Sequence, residues 1–124
     1  MYFLDRSIES ALIAAALRDA GVEVRLHRDF FAHDAKDEVW LPDVAQRGWI
    51  VRTRDKWIRR RPLEKRALIA SGARAFVLTS GNLRGCEMAD ILTKHIGRME
   101  RLARTTKPPF IFAVTKAGVE PRQL

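Results

Sequence analysis

Arg47-Gly48-Trp49-Ile50-Val51-Arg52-Thr53-Arg54-Asp55 decides the fold of this chain. Gly48 ends the preceding element. Trp49-Ile50-Val51 then opens an apolar strand that runs through Thr53 to an acid, Asp55. On the N-terminal side, Asp37 opens a helix with Val39, Trp40, Val44 and Ala45 on its apolar side and Pro42 one turn in, where proline costs least. On the C-terminal side, Arg59-Arg60-Arg61-Pro62 is a basic connector to a third helix from about Leu63 to Ser71, stopped by Gly72. A buried strand between two helices is the repeating unit of a parallel sheet.

The same unit recurs in both directions. Tyr2-Phe3-Leu4 is a buried strand ending at Asp5. Ser7 can cap the helix that follows, marked by Ile8, Leu12, Ala15 and Ala16 and ended by Gly21. Val22, Val24 and Leu26 alternate with Glu23 and Arg25, so the second strand is half exposed or on an edge. His27 to Lys36 is a polar loop carrying Phe30 and Phe31. Ala75-Phe76-Val77-Leu78 is strand four, and one long helix is expected from about Gly85 to Arg104. Lys107-Pro108-Pro109 breaks it, and Phe110 to Thr115 is strand five, with a turn at Lys116-Ala117-Gly118. Strict alternation of this kind predicts an α/β fold, a three-layer α/β/α sandwich with a mainly parallel central sheet of about five strands. With 124 residues and no repeat, linker or low-complexity segment, one domain over 1–124 is expected.

The bulk composition narrows the partners. Hydrophobic residues make up 47% of the chain, too many for a disordered polymer. The formal net charge is +8, which favours polyanions: nucleic acid, an anionic membrane or an acidic protein. One cysteine, Cys86, excludes a disulfide within the monomer and a Cys-based zinc site. The N-terminus carries acids at positions 5 and 9 and does not read as a signal peptide, and Ala11 to Leu17 is too short to span a bilayer. The expectation is a soluble cytoplasmic protein with no membrane partner.

In a parallel sheet, ligands bind outside the carboxyl ends of the strands. Strand one ends at Asp5, strand three ends at Asp55, and helix two opens on that same rim with Asp37-Glu38. Each acid alone has a local explanation as a turn or cap residue. Together they aim carboxylates from three segments at one place, where their repulsion calls for a cation. Oxygen-only ligands suit Mg²⁺ or Mn²⁺, and such an ion can polarise a scissile phosphate and activate water for in-line attack. Asp5 and Asp55 are expected as direct ligands and Asp37 as a third, direct or through water. Glu38 is a weaker catalytic candidate, because adjacent helical residues point about 100° apart.

Asp37-Glu38-Val39-Trp40-Leu41, Arg47-Gly48-Trp49-Ile50-Val51 and Thr53-Arg54-Asp55-Lys56 together resemble PIN and PIN-like nucleases, and Phe3-Leu4-Asp5-Arg6 resembles their opening strand and first acid. The order is most similar to the compact PIN-like domains close to VapC-type toxins. That branch is also resembled by Phe76-Val77-Leu78-Thr79 and Pro108-Pro109-Phe110-Ile111. The resemblance implies a ribonuclease toxin dependent on Mg²⁺ or Mn²⁺, an RNA substrate, a cognate antitoxin partner and a homodimer. It transfers acidic roles to Asp5, Asp37 and Asp55. In one respect the chain departs from the family: the stretch from Asp5 to Asp37 is too short for the additional helix-borne Glu. Glu38, Asp34 and Glu9 are the acids available to stand in for it.

Arg52, Arg54, Lys56, Arg59, Arg60 and Arg61 surround Asp55 and would form a cationic rim for flanking phosphates. Nucleic-acid contacts are expected from Arg54, Lys56, Arg59, Arg60 and Arg61. Trp57 either stacks on a base or packs between strand three and helix three. Arg98, Arg101, Arg104 and Lys107 line the last helix, as a solvated face or a docking surface for an acidic partner segment. Phe30 and Phe31 read as a lid, an interface or core; Trp40 and Trp49 as core; His27, His33 and His95 as ordinary. Ser80 and Asn82 either orient a phosphate or water or form a plain turn. Two alternatives compete. Asp5, Asp55, Thr79 and Lys107-Pro108 mimic a receiver-like phosphoacceptor domain, although Arg6 stands where receivers carry a second acid and Lys107 precedes strand five. The other alternative is a catalytically inactive PIN-like RNA- or antitoxin-binding module.

Overall fold

The computed structural model describes residues 1–54, 61–79 and 83–122. The elements run β1 (Tyr2–Leu4), α1 (Ala11–Asp19), β2 (Val24–Leu26), one 3-10 turn (His27–Asp29), α2 (Asp37–Gln46) and β3 (Ile50–Thr53). They continue α3 (Pro62–Ala70), β4 (Arg74–Leu78), α4 (Gly85–Lys94), α5 (Ile96–Thr105), β5 (Phe110–Val114) and β6 (Val119–Arg122). The strands form one sheet in the order β2-β1-β3-β4-β5-β6. All pairings are parallel except β5 with β6. The expected α/β/α sandwich is therefore present, with a sixth, antiparallel strand that the five-strand expectation stopped short of.

The pleat explains the two cores. Tyr2, Leu4, Ile50, Phe76, Phe110 and Phe112 face α1, α4 and α5, whose Ile13, Leu17, Met88, Leu92 and Met99 complete that layer. Phe3, Val51, Ala75, Val77 and Ile111, the alternate residues, face α2 and α3 through Trp40, Leu41, Val44 and Leu68. Strands covered on both faces are apolar, as β1 and β5 are throughout and β4 is after Arg74 at its start. Gly21 and Gly48 end α1 and α2 with φ of +91° and +75°, a left-handed geometry that a side chain would oppose.

Several local expectations change. Ser10, not Ser7, caps α1: its side chain accepts from the Ile13 N–H. Val39, expected on the apolar side of α2, is 62% exposed. Pro42 is the sixth residue of α2, deeper than the tolerant first turn, and deprives the Glu38 carbonyl of its helical N–H. The single long helix divides at His95 (φ −102°, ψ 8°), whose ring Nε2 lies 3.3 Å from the Lys116 carbonyl. α4 and α5 nonetheless feed the same core. Phe31 packs against the core beside Phe3, 5.8 Å between ring centroids, whereas Phe30 stays 39% exposed beneath the Arg47 guanidinium. His27 is not an ordinary surface histidine: it is fully buried, 5.5–6.0 Å from the rings of Phe3, Phe31 and Trp40, with neither ring nitrogen hydrogen-bonded.

Arg52 is the largest departure. Expected on the cationic rim, it is 0% exposed instead. Its position follows from the pleat, since residue 52 shares the face of Ile50. The guanidinium lies 3.5 Å from the Tyr2 ring centroid and 4.6 Å from that of Phe76, a cation–π sandwich that partly replaces lost hydration. Among the described residues none of its nitrogens finds a partner in hydrogen-bonding geometry. Burial pushes its pKa down to about 10, while Tyr2 and Glu100 act on it electrostatically in the opposite sense.

Candidate active site

Strand order reverses between β1 and β3: from β1 the chain moves outward to β2, then returns to the other side for β3, β4 and β5. Crossover loops leave a crevice at the carboxyl ends of such a pair. A cavity of about 370 Å³ opens there. Its acidic lining comprises Asp5 after β1, Asp34, Asp37 and Glu38 at the start of α2, and Glu64 in the first turn of α3. Arg6, Lys36 and Arg61 supply the cationic part, with Ser7 and Leu63 between.

Asp5 is held firmly. It is 5% exposed. The Ser7 backbone N–H donates to its Oδ1 at 2.9 Å and the Ser7 hydroxyl at 2.5 Å, an Asx-type turn built by Asp-Arg-Ser. The same hydroxyl oxygen accepts the Arg54 N–H at 3.0 Å and lies 3.1 Å from Thr53 Oγ1. Ser7 thus ties the ends of β1 and β3 together at the switch point. Burial pushes the Asp5 pKa up to about 6; the bonds from Ser7 and Thr53 oppose that rise, and the Asp37 charge adds to it.

Asp37 is the first residue of α2, where helix dipole and charge agree. Its Oδ1 accepts from Trp40 Nε1 at 3.0 Å, so a core indole orients it. Lys36 rather than Asp37 is the cap residue. Glu64 stands 4.0 Å from Arg61, and Arg6, also on the lining, donates to the His33 carbonyl.

Of the residues expected from the sequence, Asp5, Asp37, Glu38 and Arg61 meet in this cavity. Arg54 follows β3 and contributes its backbone N–H to Ser7. Asp55, Lys56, Trp57, Arg59 and Arg60, like Ser80 and Asn82, lie outside the described residues. Among the described residues no three Asp, Glu, His or Cys side chains stand close enough to hold one ion. The donor chemistry nevertheless suits a hard divalent cation. All the acidic donors are carboxylate oxygens, and Asp5 is desolvated beside a second negative charge.

Three residues take part here in ways the sequence reading does not single out: Ser7, Glu64 and Lys36, the last of which lies in the loop read only as polar. The sequence offers Ser7 as a helix cap; the Asp-x-Ser spacing, which favours an Asx turn, is the signal for its actual role. Glu64 is absent from the sequence reading, although the start of α3 lies on the same rim as the start of α2, and an acid two residues after a first-position proline is a typical helix opening.

The family model for the PIN like domain matches residues 1–80. The chain is 30% identical over 118 residues to the protein described as "Putative ribonuclease VapC45" of Mycobacterium tuberculosis (strain ATCC 25618 / H37Rv), a match that takes in 90% of this chain and 83% of that one. No solved structure matches significantly.

Proposed function

Because the chain belongs to the PIN-like domain family, we propose that it is a metal-dependent ribonuclease, the toxin of a toxin–antitoxin pair, working in the cytoplasm with Mg²⁺ or Mn²⁺ held by Asp5, Asp37 and Asp55. Family membership leaves the receiver-like alternative without support. The observation that carries the proposal is the buried Asp5 carboxylate at the switch point, facing a cavity that Asp37 and Glu38 also line. A divalent cation bound there would supply Lewis-acid polarisation of the scissile phosphate.

The chain's own residues do the rest. Ser7 fixes the direction of Asp5, and Trp40 fixes that of Asp37. Lys36 and Arg61, on the cavity wall, bind and orient phosphates flanking the scissile bond. The antitoxin is the second partner. Its presence beside this gene is open to a direct look at the neighbouring reading frame.

Purified protein incubated with single-stranded RNA tests the proposal. Cleavage is expected with Mg²⁺ or Mn²⁺, none in EDTA, and none from Asp5→Asn or Asp37→Asn variants that retain the fold. RNA left intact by the wild type with either ion, or cut equally well by the variants, would leave only an RNA- or antitoxin-binding module.

A further inference from the structure

α5 carries Arg98, Arg101 and Arg104, all exposed, at i, i+3 and i+6. On a helix such neighbours stand roughly 5–6 Å apart at Cβ. No ion pair to any described carboxylate involves them. The one acid of the helix, Glu100, is half-buried and acts inward on Arg52 and Tyr2. The outer face therefore bears three arginines and no compensating charge of its own.

Gly97 lies on the same side, one turn before Arg101. A Cβ there would meet nothing within 4 Å, and its φ is not positive. Neither packing nor backbone conformation in this chain calls for glycine at 97. What glycine does provide is an uncovered stretch of helix backbone beside the arginines, open to close approach from outside.

We propose that this face of α5 is a track for the phosphate backbone of RNA, separate from the acidic cavity. It rests on the proposal that RNA is the substrate. α5 buries Met99 and Ala103 in the core shared with α1 and α4, across the sheet from α2 and α3. The cavity opens at the carboxyl edge of the sheet, beside the starts of α2 and α3, and the track lies in the opposite helical layer, so an RNA that engages both passes over an edge of the sheet. Arginine suits phosphate through its bidentate fork. An acidic protein is the less fitting occupant. Protein interfaces are anchored by buried apolar side chains, and none of the large hydrophobics exposed among the described residues, Leu12, Phe30, Val39, Leu63 and Ile69, lies on α5.

The test is binding of the full chain in EDTA to an oligouridylate long enough to reach both faces, measured across a salt series. Replacing Arg98, Arg101 and Arg104 together by Ala should weaken binding at least tenfold. It should also reduce the slope of log K against log salt by about 2, three contacts at about 0.7 each for a single strand. The triple Lys variant should retain the slope, and Gly97→Glu should weaken binding by placing a carboxylate among the cations. Thermal melts establish that each variant folds. Wild-type affinity and slope in the triple Ala variant would overturn the proposal, as would loss of polyglutamate binding with RNA binding intact. Because no cleavage is read, a protein that fails to cut RNA still answers this test.

Discussion

Ser7 and Asp5 are joined twice, the backbone N–H and the hydroxyl of Ser7 both donating to Asp5 Oδ1, at 2.9 and 2.5 Å. The hydroxyl oxygen is shared with the backbone of Arg54 on the neighbouring strand end. A side chain of two heavy atoms beyond Cα therefore sets both the direction of the acid and the spacing of β1 and β3. Ser7→Ala should keep the fold and lower cleavage by about 10- to 100-fold, the usual range for removing a support of a metal ligand. The loss should shrink at high Mn²⁺. Titration of activity against metal concentration reads it; a variant as active as wild type at every concentration would show that Ser7 is only structural.

Asp5→Asn should abolish cleavage and stabilise the protein. The carboxyl is pushed up from 3.8 to about 6 on folding, so the folded state holds a proton that the unfolded chain has already released between those values. Stability contributed by this group therefore falls as pH rises from about 4 to about 6. At pH 7 in EDTA the Asn variant should be more stable by about 2 kcal/mol, given roughly 1.4 kcal/mol per pK unit and some loss at Ser7. Denaturant melts at pH 4 and pH 7 check it: the gain should be absent at the lower pH.

His27 gives the opposite pH dependence. Burial lowers its pKa from 6.5, with Arg6 and His33 acting in the same sense and Glu9 against it. The neutral ring is the native form. Its contribution is complete above about pH 6.5 and declines as pH falls below that, because charging the ring favours the unfolded chain. His27→Phe, placed among Phe3, Phe31 and Trp40, should flatten the stability profile between pH 5 and 7. A profile as steep as the wild type's would assign the acid sensitivity to another group.

Arg52 is buried without a hydrogen-bonded partner among the described residues. Arg52→Met should be close to neutral or stabilising, since an apolar side chain of similar length avoids the desolvation of a guanidinium. Arg52→Ala, leaving a cavity between Tyr2 and Phe76, should cost about 2–5 kcal/mol. Neither change should alter the salt slope of RNA binding, because residue 52 does not reach the surface. Equilibrium unfolding and the binding assay separate the two effects.

The alternation of apolar and helical segments made the sheet, its parallel strands and the rim of Asp5 and Asp37 legible, because a buried strand and its crossover helix each leave a period in the sequence. Burial of single polar residues was not legible. Arg52 looked like its neighbours Arg54 and Lys56 until the pleat placed it beside Tyr2, and His27 carries no local mark of the aromatic box around it. Ser7 reads as a helix cap because it stands just before Ile8, where the apolar helix pattern begins, although Ser10 is the residue that caps α1. Only the backbone geometry after Asp5 decides between them. The opening of α3 marks Glu64 as a first-turn acid, but only the packing of α3 beside α2 brings it to the site.

The two margins of the sheet differ in kind, and both resist extension. β2, at one side, is three residues long and carries Arg25 in its middle. At the other side, β6 turns back after Gly118 and places Glu120 and Pro121 along the outermost strand. A proline has no N–H to offer a further strand, and a carboxylate discourages one. Strand-to-strand zipping of two chains along either margin is thereby disfavoured.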